Sequence, residues 1–168
     1  MGNILKNIKH YLDKNPLAKN VLSALAVAFF GYLLLDITFI FDVIYQGVIR
    51  WIIGLFIPLG PDMDIFWFPP LMHFSFVIVI GIISWFVFRS KLDILYKAIF
   101  MTVPLAVVLA TIGMFSYHLP IVAYSLGLLF CLGVLYYLYK TKQHWLYYYT
   151  LILMGIAMLL LVLLGVEI

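Results

Sequence analysis

Charge is scarce in this sequence. Only 10% of its 168 residues are Asp, Glu, Lys or Arg, while 67% are hydrophobic. A soluble domain carries about 25% charged and about 45–50% apolar residues. With a mean hydropathy of +1.17, a chain this short has no interior large enough to hide its apolar surface from water, so its solvent is lipid. Cysteine is nearly absent too. The single thiol, Cys131, excludes an internal disulfide and any CxxC redox or metal pair, and it reads as a small buried hydrophobe. Segments of alternating polar and apolar residues are missing, which argues against a transmembrane barrel. Basic clusters of the kind that bind nucleic acid are missing as well, because the lysines behind the +3 net charge are scattered at segment ends.

What remains is a series of long, unbroken apolar runs. In lipid a backbone must satisfy its own amides, so these runs predict an all-α polytopic membrane bundle. Membrane helices are expected over 21–43, 70–88, 98–117, 121–139 and 145–166, each near the ~20 residues a bilayer requires. Short connections make sequential helices antiparallel neighbours. A polar, basic segment over 1–20 precedes a single transmembrane domain over 21–168. It does not have the form of a cleavable leader. Within it, Ile4, Leu5, Ile8, Tyr11 and Leu12 recur at helical spacing, which predicts a short amphipathic helix over 3–14 lying on an anionic membrane face. Pro16 ends that helix or begins the next. The Met1-Gly2 start does not complete a myristoylation signal, since Lys6 stands where Ser or Thr is needed.

The stretch 44–60 is apolar but carries Arg50 at its middle. Cytoplasmic loops of membrane proteins are enriched in Lys and Arg. Lys6, Lys9, Lys14 and Lys19 place the N-terminus in the cytoplasm, Arg89, Lys91 and Lys97 do the same for 89–97, and Lys140 and Lys142 for 140–144. The 61–69 connection, with two aspartates and no base, suits the outside. These assignments agree only if 44–60 is an outer interfacial or re-entrant segment, or an extension of the first span. Five spans follow, with the C-terminus outside, in a cell membrane. Trp67 and Phe68 then anchor the outer interface, and the tyrosines around 136–149 with Trp145 anchor the inner one.

Ionisable residues inside a span are costly and mark function or specific pairing. Asp36 and Asp42 are the clearest cases. Six positions apart, they point about 120° from each other on a helix. Asp36 is the deeper; its structural alternatives are a hydrogen bond to a neighbouring helix or a pair with Arg50. Other polar groups gather toward the same outer side: Arg50, Asp62, Asp64, His73, Tyr117 and His118, while the inner halves hold little beyond Ser23, Ser84 and Thr102. This asymmetry predicts a polar cavity open outward, with Asp36, Asp42, Arg50 and His73 binding a ligand or ion. Asp62, Asp64, His73 and His118 are acceptable ligands for a divalent metal, although no HExxH or paired-His spacing supports one. No other cofactor is implied: His73 and His118 stand near one surface and His10 and His144 near the other, so none face each other to hold a haem. Gly31, Gly81, Gly113 and the Ala24–Ala28 pair allow close helix contacts.

The expected function is a transport or ligand-binding membrane subunit. Two alternatives are an accessory protein docking a partner through 44–60, and a membrane-embedded enzyme acting on a lipid head group. No nucleophile elbow or catalytic set is recognisable. Membrane lipids, a second copy and another membrane protein are the partners the composition allows.

Overall fold

The computed structural model describes residues 14–56, 68–116 and 118–163. Among them are five helices and no strand: α1 (Pro16–Phe56), α2 (Phe68–Arg89), α3 (Ile94–Ser116), α4 (Pro120–Lys140) and α5 (Trp145–Leu163). The first four are long and apolar enough to cross a membrane. α5 has 19 residues, about 28 Å, close to the ~30 Å hydrocarbon core. The amphipathic segment expected over 3–14 lies outside the described residues except for Lys14, as do 57–60 and most of the 61–69 connection.

Helix starts and stops follow local chemistry. Pro16 and Pro120 occupy first-turn positions, where the missing N–H is no loss. α2 closes with Lys97 Nζ donating to Phe88 O at 2.9 Å, so a cation satisfies one of the last carbonyls. Arg89 folds back over Trp85, 4.6 Å from the ring centroid. α4 ends where Lys142 turns to φ 50° and its N–H donates to Tyr139 O at 3.1 Å.

Of the three arrangements open to 44–60, the structure has the extension. Residues 44–56 continue the first span without a break, so α1 is one helix of 41 residues, about 60 Å and roughly twice the hydrocarbon thickness. No proline follows Pro16 before residue 58, and Arg50 is a good helix former, so nothing in the sequence stops the ladder.

α3 is the hub and packs against all four other helices. Around it the order is α2, α1, α5, α4, with α2 and α4 standing apart. Contacts fix the directions. Thr102 of α3 meets Gly31 of α1, and Thr150 of α5 meets Ala98 of α3. His73 and Phe76 of α2 sit beside Thr111 and Val107, in descending register. Lys19, Arg89, Lys91, Lys97, Lys140 and Lys142 therefore collect at one end of the bundle, here called the basic end.

Lipid tails are as apolar as leucine, so packing and interhelical hydrogen bonds hold such helices together. At Gly31 a Cβ would stand 2.7 Å from Thr102 Cγ2, so only glycine permits this approach of α1 to α3. Gly81 and Gly113, also expected at close contacts, face open space. Thr150 donates to Leu146 O at 2.9 Å and reaches Ala98 O at 3.2 Å, a shared bond that ties α5 to α3. One apolar core joins Val27, Ala98, Leu105, Leu138, Leu146 and Leu151 toward the basic end. A smaller one joins Phe76, Ile80, Val103 and Val107 between α1, α2 and α3.

Candidate functional site

The Gly31–Thr102 register sets Ile94–Ser116 of α3 level with about residues 23–45 of α1. The bundle is thus one membrane thick around the middle of α1, and the last three turns of α1 project beyond it, away from the basic end.

A small cavity of about 40 Å³ lies between α1, α2 and α3 toward that far end. Thr38 and Asp42 from α1 and His73 from α2 supply its polar groups, and Phe39, Phe76 and Ala106 are among its apolar walls. Neighbouring contacts hold the wall in place. Tyr45 Oη donates to Ser75 Oγ at 3.0 Å, and Ser75 donates onward to Met72 O at 2.7 Å. The rings of Phe41, Tyr45 and Phe76 stack with centroids 5.7–6.3 Å apart.

Two side chains give the cavity its chemistry. Asp42 Oδ2 accepts from Gln46 Nε2 at 3.0 Å, whereas its Oδ1 is buried and has no hydrogen-bond partner. A buried oxygen left this way costs about 1–3 kcal/mol. His73 Nε2 stands 2.9 Å from Thr111 Oγ1, and Thr111 spends its own proton on Val107 O at 2.6 Å. The Thr111 oxygen is therefore the acceptor and His73 Nε2–H the donor, which leaves Nδ1 as the acceptor of the neutral ring. Thr38 likewise donates to Leu34 O at 2.7 Å and keeps its oxygen lone pairs. The cavity thus offers a carboxylate oxygen, a histidine and a hydroxyl, and among the described residues no Lys or Arg lines it.

Of the residues singled out as ligand-binding, Asp42 and His73 come together in this cavity and Asp36 and Arg50 do not. Asp36 is exposed on the side of α1 turned away from the bundle, about 180° from Val27 and about 140° from Gly31. Among the described residues it makes no hydrogen bond to a neighbouring helix. A pair with Arg50 is excluded, because fourteen residues of continuous helix set the two about 21 Å apart along the axis. Arg50 is exposed on the projecting turns. Asp62 and Asp64 lie outside the described residues. His118 is exposed in the turn between α3 and α4. Among the described residues no three His, Cys, Asp or Glu side chains group closely enough to hold a metal.

Thr38, Thr111, Ser75, Tyr45 and Gln46 are the site residues that sequence reasoning missed. Each lies in an apolar run as a mild polar group, and a spacing of one helical turn from Asp42 or His73 is the signal that marks Thr38, Tyr45 and Gln46.

The fold and composition define a multi-pass helical membrane protein. Comparisons with family models, with curated proteins and with solved structures find no match.

Proposed function

We propose that this protein is a membrane subunit that binds a small cation or a proton at Asp42 and His73, in a cavity near the outer face. The observation that carries this reading is the buried, unpartnered Asp42 Oδ1 in a cavity it shares with His73. An acceptor kept out of water without a donor is stabilised by whatever positive species enters. The size of the space narrows the ligand class. Pockets for metabolites run about 300–1,000 Å³, whereas 40 Å³ takes a bare ion or two or three waters. The basic end faces the cytoplasm in this reading, following the positive-inside tendency, and the cavity lies toward the outside of a cell membrane.

The test is thermal unfolding of the full chain in detergent, across a panel of monovalent and divalent chlorides at constant ionic strength and across pH. One cation, or protons, should raise the Tm of the wild type and not of Asp42→Asn. At a hundredfold excess over Kd the gain is about 2.7 kcal/mol. Identical profiles for both proteins in every salt and at every pH would sink the proposal. A response confined to divalent ions would give the site to a metal.

A second reading has an observation of its own. Trp51, Leu55 and Phe56 are 67%, 64% and 82% exposed on the turns of α1 beyond the bundle. A large apolar surface in that position suits an accessory protein that docks a partner.

A further inference from the structure

We infer that the outward face of α1 pairs, inside the membrane, with a transmembrane helix of another protein that carries a lysine or arginine at mid-depth, through Asp36. The inference extends the docking reading from the projecting turns to the membrane-embedded face, and it is independent of the Asp42 cavity.

Depth is the first argument. The register of α1 against α3 places Asp36 level with Val107, within about 3 Å of the middle of α3. A carboxyl at that level is as far from water as this bundle allows. Direction is the second. Asp36 is exposed and opposite the bundle face, and Phe29, Tyr32, Ile40 and Val43 surround it with exposures of 61–72%. None of the described residues bonds to it. Ionisable groups at this depth pair with one another or line water-filled cavities, and Asp36 is not part of the cavity that Asp42 and His73 share.

The third argument identifies the occupant. A second copy in the same orientation brings carboxyl to carboxyl. Nor do the described residues of a copy supply a cation at the right depth. The described lysines and arginines stand at the basic end or, for Arg50, on the turns beyond the bundle, and His73 is turned toward Thr111. The complementary charge must come from a different chain, on a helix whose other residues are apolar enough to lie along Phe29, Tyr32, Ile40 and Val43.

The probe is a polyleucine transmembrane peptide with one central lysine, compared with the all-leucine peptide and with one whose lysine is at the end. Association with the full-length protein is read by energy transfer in liposomes. The central-lysine peptide should bind at least about tenfold more tightly than either control. Asp36→Asn should abolish that preference and Asp36→Glu should keep it, while both variants retain wild-type helicity and Tm. Equal binding of all three peptides to the wild type, or a preference that survives Asp36→Asn, would overturn the pairing. If equal binding were lost in Trp51→Ala, docking through the projecting turns would stand while the pairing at Asp36 fell. Copies of the chain cross-linked to one another through Tyr32→Cys in liposomes without peptide, with no lysine preference, would assign the face to self-association and also overturn it.

Discussion

Asp36 and Asp42 stand on one helix, six residues apart, and face opposite surroundings. Asp42 turns into the bundle, shares a cavity with His73 and leaves one oxygen buried without a partner. Asp36 turns away from the other described helices. The turn of about 240° between them means that one α-helix presents two carboxyls to two different surroundings, one inside the bundle and one beside it.

Removing the charge at Asp42 should cost function and not stability. Asp42→Asn is expected to unfold at the wild-type temperature or above it, with a gain bounded by the about 1–3 kcal/mol of an unsatisfied buried acceptor. Cation-dependent stabilisation should vanish in the same variant. Calorimetry with and without the stabilising salt measures both.

The Gly31–Thr102 contact should be intolerant of one methyl group. Gly31→Ala places a Cβ where Thr102 Cγ2 stands 2.7 Å away, and overpacking of this kind costs about 1–3 kcal/mol. Thr102→Ala removes the opposing methyl, so the double variant should lose less than the sum of the two single losses. Chemical or thermal unfolding of the four proteins in one detergent decides.

Thr150→Val is expected to loosen α5 from α3 by about 0.6 kcal/mol, and by no more than about 1.7 kcal/mol, the range for interhelical hydrogen bonds in membranes. The shape is nearly conserved and the donor to Ala98 O is gone. A loss above that range would mean that the hydroxyl holds more than this one contact.

Asp36 and Arg50 should prove energetically independent within one chain. A double-mutant cycle of Asp36→Asn and Arg50→Gln on unfolding free energy should give a coupling inside about 0.3–0.5 kcal/mol, as for separated sites. A larger coupling would require α1 to bend far enough to bring the pair together.

Orientation is open to labelling. In a Cys131→Ala background, Gln143→Cys between α4 and α5 should react with an impermeant maleimide only after the cytoplasmic side is opened. His118→Cys, at the opposite end, should react in intact cells. The reverse pattern would invert the protein and put the Asp42 cavity toward the cytoplasm.

Much of the fold was legible because apolar runs and membrane thickness constrain each other. The expected spans at 70–88 and 121–139 fall within two residues of Phe68–Arg89 and Pro120–Lys140. α3 begins at Ile94 rather than 98 because Lys97 lies inside its first turn and snorkels to Phe88 O. The length of α1 was less legible. Hydropathy reports what lipid accepts, and a helix twice as long as the bilayer leaves no mark of where it could have turned; the missing proline was the better signal. The site was legible as a set of polar residues toward one side, but not as a geometry. In a soluble helix the apolar stripe shows which face is inside, whereas α1 is largely apolar on every side and its scattered polar residues, among them two aspartates on different faces, mark no single one. Asp42 rather than Asp36 enters the cavity because Gly31 sets the rotation of α1, and the Ala24–Ala28 spacing alone does not reveal that.

The unbroken length of α1 also makes it a lever. Its fulcrum is the Gly31–Thr102 contact, and Phe56 stands about 37 Å up the shaft. A rocking of about 10° there sweeps the far end through roughly 6 Å, while Asp42, less than half as far along, shifts by about 3 Å relative to His73. In the proposed reading, a partner that grips Trp51 or Phe56 would therefore pull on the cavity walls, and a change in what occupies the cavity would be displayed, enlarged, at the tip.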